Sequence, residues 1–429
     1  MKKSPFGGWA RAFALSALVM VAFGCGGEKS GDGSGDTGST GGAKTFTIKL
    51  WEQMDPQERE VQAGQIAKYE ESHPGMKIEL SHYSTEDLRT QFQTAALAGS
   101  GPDLVYGPSD QVGPFSVMGL IQPIDGILTA EELHEFRSEA FDRLGGHIYA
   151  LPDQVGNHLT LVYNKALVPN PPTTMSELIE IAKAQTIDQD GDGRPERYGL
   201  VFQVMEPFWS IPFLTGYGGW VMDDESRPTL NSEAMVKALQ LIKSFRDESK
   251  IMPSECDYEI ADTIFKEGRA AFIINGPWSW EAYRKAGLDI GLARIPKIDE
   301  TGRWPAPMIS SKGYSVSAKC TGDRLEGVLE ALRYLTQTEF QVEYATKIGT
   351  LPARTAAYEL PEIHGNEMLL SSSEQVEVGK RMPVVPEMRA IWDAMRPSVQ
   401  SVWNGAKEPR DAAREMQDLA VKKIREMKG

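Results

Sequence analysis

Two indoles flank a forced turn in Ile274-Asn275-Gly276-Pro277-Trp278-Ser279-Trp280, where Gly-Pro places Trp278 and Trp280 at its edge. The chain holds nine tryptophans, and several lie beside Gly and Pro rather than inside periodic apolar runs. Flat rings next to hydrogen-bonding side chains suit a ligand with an apolar face and a polar rim. A sugar has that character: C–H groups cover the ring faces and hydroxyls project from the edge. Its receptor needs aromatics to stack on, and carboxylates, amides or guanidiniums to take the hydroxyls. Burying such groups gives discrimination, because an analogue lacking one hydroxyl leaves its partner unpaired at about 1–3 kcal/mol. Core packing is the competing account of each tryptophan alone, since Trp is well buried in most folds.

A second constellation is Asp188-Gln189-Asp190-Gly191-Asp192-Gly193-Arg194-Pro195-Glu196. Asp188, Asp190, Asp192 and Glu196 stand at positions 1, 3, 5 and 9 with Gly at 6, as in the first part of a calcium loop. The bidentate acid expected at position 12 is replaced by Gly199. A structural Ca²⁺ that braces the loop and a solvated acidic turn are both open readings, and no other cofactor is expected. The six histidines show no i, i+3 or i, i+4 pair. The chain has no Gly-x-Ser-x-Gly elbow, no His-Glu-x-x-His and no phosphate loop ending in Gly-Lys-Ser/Thr, so the common hydrolase and nucleotide motifs are missing. No enzymatic activity is expected.

The elements that would position these residues begin after a leader. Lys2, Lys3 and Arg11 precede an apolar stretch from Ala12 to Phe23 that ends in Gly24-Cys25, the outline of a signal peptide over 1–24 and too short for a membrane span. Ala22-Phe23-Gly24-Cys25 resembles a bacterial lipobox, with Ala22 where leucine is commonest and Phe23 where a small residue is usual. Lipidation of Cys25 is expected, an ordinary secretory cut being the alternative. The rest of 25–43 is almost wholly small and polar, a flexible tether. Loss of Lys2, Lys3 and Arg11 takes the formal charge of −15 to −18, which disfavours nucleic acid and anionic lipid surfaces as partners. Cys256 and Cys320 could pair in an oxidising compartment or stay as separate buried thiols.

From Thr45 the pattern reads strand, helix, strand, helix, strand: Phe46, Ile48 and Leu50 alternate, a helix covers about 57–72, Met76, Ile78 and Leu80 alternate again, Ser84 and Asp87 open a second helix, and Leu104-Val105-Tyr106 follows a turn. That order predicts a parallel sheet covered on both faces. Thr174 and Glu177 bracket another capping box, Met235, Leu239, Ile242 and Phe245 form a helical stripe, and 323–346 reads as one long helix. A core rarely grows past about 250–300 residues, so two α/β lobes are expected, with ligand at the carboxyl ends of their strands.

Five ordered motifs carry a resemblance: Gly101-Pro102-Asp103-Leu104, Tyr163-Asn164-Lys165 followed by Pro169-Asn170-Pro171-Pro172, Glu206-Pro207-Phe208, Ala271 to Trp280, and Met388-Arg389-Ala390-Ile391-Trp392. They resemble the maltose-binding proteins of ABC importers, over nearly all the chain from Lys44. The resemblance implies a two-lobed type II periplasmic-binding fold that closes on an oligosaccharide. It assigns 44–153 plus 298–352 to the N-terminal lobe and 154–297 plus 353–429 to the C-terminal lobe. Trp278 and Trp392 then look like stacking residues, Glu206 like a hydroxyl acceptor, Phe208 like the family's stacking tyrosine, Asp110 like the N-lobe carboxylate and Arg396 like the family's arginine. Asp55 is kept in the first loop, but Pro56 replaces a lysine, Gly107 a tryptophan, Gln111 an arginine, Asn157 a glutamate and Asp393 a tyrosine. The implied role is a monomeric binding protein, anchored at the periplasmic or outer cell surface, that delivers a carbohydrate to an ABC permease. A sugar-sensing subunit and a surface glycoside hydrolase are the alternatives.

Overall fold

The computed structural model describes residues 46–428; the expected signal segment, Cys25 and the tether of 26–43 lie outside them. Ten strands form two sheets: β1 Phe46–Glu52, β2 Met76–His82, β3 Leu104–Pro108, β4 Leu151–Val155, β5 Thr160–Asn164, β6 Tyr198–Val201, β7 Ala270–Asn275, β8 Ile290–Ala293, β9 Lys312–Val316 and β10 Leu351–Pro352. The first sheet has the order β10-β4-β9-β3-β1-β2 and the second β8-β5-β7-β6. Each sheet has its own apolar core. Ile48, Leu50, Tyr106, Tyr314 and Leu332 belong to one, and Leu161, Phe202, Phe272, Trp280 and Trp403 to the other.

The parallel sheet expected at the N-terminus holds for β1, β2 and β3 only. β4, β9 and β10 pair antiparallel, because they are the segments on which the chain leaves for the second lobe or returns from it. The chain crosses outward at 156–159, after Gln154 and Val155 have already paired within the first sheet. It recrosses before β9, and Asn157 ties the two crossings by donating from its backbone N–H to Ser310 O at 2.9 Å and from Nδ2 to Ser310 Oγ at 3.3 Å. The C-terminal helices Glu387–Trp403 and Pro409–Lys428 pack into the second core through Trp392, Met395, Val402 and Met416.

Local signals explain the elements. Ser84 caps the helix Thr85–Leu97, its Oγ accepting from Asp87 N, and the box of Thr174 and Glu177 opens Met175–Gln185. The apolar stripe of Met235, Leu239, Ile242 and Phe245 is buried along Glu233–Asp247. The single helix expected over 323–346 is broken into Gly322–Leu335 and Thr338–Lys347. At the break the Thr336 carbonyl accepts from the side chains of Gln341 (2.9 Å) and Arg354 (2.6 Å), which replace the next helical N–H. Cys256 and Cys320 are free thiols buried in different cores.

Candidate functional site

The carboxyl ends of β1, β2 and β3 face those of β6 and β7 across a cavity of about 580 Å³, within the range of small-molecule sites. Four helices start at its edge: Pro56–Ser72, Thr85–Leu97, Tyr258–Lys266 and Pro277–Lys285. Helix starts carry partial positive charge and unpaired N–H groups, an environment suited to the acids that gather here.

The second-lobe wall is aromatic. Pro277 occupies the first helical position after Gly276, and a Cβ on Gly276 would lie 2.1 Å from the Trp278 ring. Only glycine lets Trp278 fold back over the turn to face the cavity. Trp280, the other indole of the motif, is fully buried in the core. Glu206 precedes the short turn Pro207–Ser210, which sends Phe208 and Trp209 to the cavity. The rings form a chain: Trp278 to Trp209 at 6.4 Å, Trp209 to Phe208 at 5.5 Å, Phe208 to Trp392 at 6.5 Å, all edge-on. The Trp209 indole N–H donates to Ile274 O at 2.9 Å, which fixes the middle ring. Arg396, one helical turn from Trp392, grips Glu206 with two hydrogen bonds of 2.8 and 3.0 Å.

The first-lobe wall is charged. Asp55 caps the helix Pro56–Ser72, and the Tyr258 hydroxyl donates to it across the cleft at 3.3 Å. Burial pushes the Asp55 carboxyl up to about 7; Glu58 adds to the rise, and Lys312 and Tyr258 oppose it. Glu58 holds the Lys312 ammonium with both oxygens, at 2.8 and 3.0 Å, and that ammonium lies 5.7 Å from the centre of the Trp278 ring. Asp110 accepts from Arg89 at 2.6 Å and from the Trp392 indole N–H, across the cleft, at 3.3 Å. Glu86 receives Arg89, Arg389 and Arg396, the last two from the second lobe. Burial raises the Glu86 carboxyl, but the three guanidiniums outweigh it and hold the group below its usual range.

Residues 64–371 match the family described as bacterial extracellular solute-binding protein. The chain belongs to that family. The solved maltose/maltodextrin-binding domain of Bdellovibrio bacteriovorus, bound to maltotriose, superposes with a TM-score of 0.87 at 43% identity, covering 89% of this chain and 100% of that one. Among curated relatives, the maltotriose-binding protein of Pyrococcus abyssi is 28% identical over 370 residues, 85% of this chain and 78% of its own length. The galactooligosaccharide-binding protein of Bacillus subtilis is 27% identical over 96% of each chain. The architecture of this solute-binding protein is therefore the two-lobed type II periplasmic-binding fold.

Of the residues singled out in the sequence, Asp55, Asp110, Asn157, Glu206, Phe208, Trp278, Trp392 and Arg396 line the cavity of the solute-binding protein. Gln111 does not. Its amide lies where a Cβ on Gly107 would sit, at 2.7 Å, so the missing side chain at 107 draws Gln111 back against β3. Sequence reasoning missed Glu58, Glu86, Arg89, Trp209, Tyr258 and Lys312. Glu86 and Arg89 were within reach, lying three apart in the first turns of a capped helix that follows a strand. Lys312 was not, because it enters the cleft only through the pairing of β9 with β4 and β3.

Asp188, Asp190 and Asp192 come together on an exposed loop, and Glu196 is not in their group. Asp188 accepts from the backbone N–H groups of Gly191 and Gly193, Asp192 from Arg194, and Glu196 from Gln189. The loop is closed by bonds from its own backbone. Among the described residues no helix is long and apolar enough to cross a membrane.

Proposed function

We propose that this chain is an extracytoplasmic lipoprotein that binds a maltodextrin-type oligosaccharide between its lobes and delivers it, unaltered, to the permease of an ABC importer. One observation carries the reading. A chain of edge-on rings, Trp278, Trp209, Phe208 and Trp392, faces a wall of paired charges across one cavity. Sugar rings stack on the aromatic wall, and their hydroxyls exchange hydrogen bonds with Asp55, Asp110, Glu206 and Arg396. The side chains that meet across the cleft, Asp110 with Trp392 and Asp55 with Tyr258, let a ligand touched from both sides favour the closed arrangement. The maltodextrin class is drawn from the Bdellovibrio and Pyrococcus proteins named above; the Bacillus subtilis relative makes a galactooligosaccharide the second ligand to try. The anchor is Cys25, supported by its lipobox-like setting and the polar tether after it.

Calorimetry of the Lys44–Gly429 unit with maltotriose and with a galactooligosaccharide, run beside a reducing-end release assay, tests the reading. One-to-one binding without product is the expected result. Product formation, or heat with neither sugar, overturns it. Labelling of cells with a tritiated fatty acid tests the anchor: the chain should take up label and Cys25→Ala should not.

A further inference from the structure

The chain makes Arg–carboxylate pairs of two kinds. Arg324 meets Asp103 through Nε to Oδ1 at 2.8 Å and Nη2 to Oδ2 at 2.5 Å, and Arg396 meets Glu206 in the same two-pronged way. Arg89 and Asp110 depart from this pattern. Only Nη2 and Oδ2 meet, at 2.6 Å, and Nη1 turns to Glu86. The Arg89 Nε donor and the Asp110 Oδ1 acceptor are left buried with no partner. Both side chains line the cavity, at 9% and 7% exposure. Arg59 Nε, Asp142 Oδ2 and Asp153 Oδ2 are also buried without a partner, but among the described residues Arg89 and Asp110 form the one ion pair in which a spare donor and a spare acceptor stand on both members, on one wall of the cavity. A neutral hydroxyl, or two on neighbouring carbons, supplies an acceptor for the first and a donor for the second. An anion would meet the Asp110 charge, and an ammonium would meet Arg89.

We propose that Arg89 is a ligand-contacting, selectivity-setting residue, its Nε–H donating to a sugar hydroxyl beside the one that donates to Asp110 Oδ1. The proposal deepens the carbohydrate reading above and rests on it. Arg89 comes from the second turn of the helix Thr85–Leu97, whereas Asp110 follows β3, so the pair is assembled by the fold.

The test is calorimetry with maltotriose on the parent protein, Arg89→Lys and Arg89→Met, with a thermal melt of each. Lysine keeps the charge beside Asp110 and Glu86 but carries a methylene, not a donor, at the Nε position. If Arg89 contacts sugar, both variants melt as folded proteins and bind about tenfold more weakly or worse, the loss of one charge-assisted hydrogen bond. If Arg89 only holds Asp110 in place, Arg89→Lys binds like the parent, and the proposal is overturned. Where the parent takes the galactooligosaccharide instead, the same variants are titrated with that sugar; a parent that binds neither overturns the carbohydrate reading and this residue's part in it together. Should either variant not fold, the Arg89 Nε–H resonance of the parent decides: it should shift and gain exchange protection when maltotriose is added, and an unmoved resonance ends the proposal.

Discussion

The two walls of the cleft are built from opposite materials. On the second lobe, rings stand at the carboxyl ends of β6 and β7 and on the helix Glu387–Trp403, and their burial adds to that lobe's core. On the first, Asp55, Glu58, Glu86, Arg89, Asp110 and Lys312 converge from two helix starts, the turn after β3 and a returning strand, and the buried ones among them must be paired. The aromatic wall stabilises its own lobe whether or not ligand is present. The charged wall costs stability that is recovered through pairing, and in part through ligand. On the proposed function, affinity rests first on the rings and selectivity on the charges.

The largest expected effect falls where the walls meet. Trp392 supplies a ring and also donates to Asp110, so Trp392→Ala should weaken maltotriose binding by about 3 kcal/mol, as removal of a buried aromatic anchor does. Binding within twofold of the parent in a folded variant would break the division of labour. A somewhat smaller effect tests the cost of the charged wall. Beneath it Asp153 is fully buried, with Tyr106 donating to one oxygen at 3.0 Å, and burial pushes its carboxyl up to about 8. Its ordinary value is 3.8, so between about pH 4 and 8 the folded chain holds a proton that the unfolded chain has released. Stability therefore falls as pH rises through that window. Asp153→Asn should remove the penalty, gaining about 2 kcal/mol over the parent at pH 5.5 and little at pH 4, by urea unfolding at both values. A gain that does not change with pH would show that Asp153 carries no such cost.

The same contrast set what could be read beforehand. Trp278 was legible because Gly276-Pro277 fixes a turn and leaves a side chain that must fold over it. Trp392 and Arg396 were legible through the family resemblance alone, and the helix Glu387–Trp403 sets them one turn apart. The early strands and helices declared themselves by alternation and by the Ser84 and Thr174 caps. Trp280 could not be separated from Trp278 by type or spacing, since two residues along one helix turn decide between core and cleft. The ion pairs of the first wall join residues such as Glu58 and Lys312, 254 positions apart, and no local pattern encodes that pairing. Gln111 lies outside the cavity lining, its amide in the space that a side chain at 107 would fill, and no local pattern announces that exchange.

Trp278 tests whether the rings act singly or as a chain. Its ring has the Lys312 ammonium near one face and Trp209 edge-on, and it is less buried than Trp392, which also donates to Asp110. Trp278→Ala should weaken maltotriose binding by about 1–2 kcal/mol by calorimetry, and Trp278→Phe should recover part of that. A loss as large as that of Trp392→Ala, unrecovered by phenylalanine, would mean that the ring chain works as one unit.

The smallest effect belongs to the ion pairs that join the walls at the mouth. Glu86 sits on the first lobe between Arg389 and Arg396 of the second, and its side chain is 38% exposed. Solvent and salt reach these pairs, so each is worth little, and their sum is expected to be below about 1 kcal/mol. On the proposed function they form as the lobes approach, and that small term then enters the closing equilibrium and through it the affinity for sugar. Glu86→Gln should weaken maltotriose binding about two- to threefold in 20 mM salt, and the difference should shrink toward nothing in 500 mM salt because exposed pairs are screened there. An effect that persists at high salt would place Glu86 among the groups that touch the ligand, and the charged wall would then reach further toward the mouth than its pairing suggests.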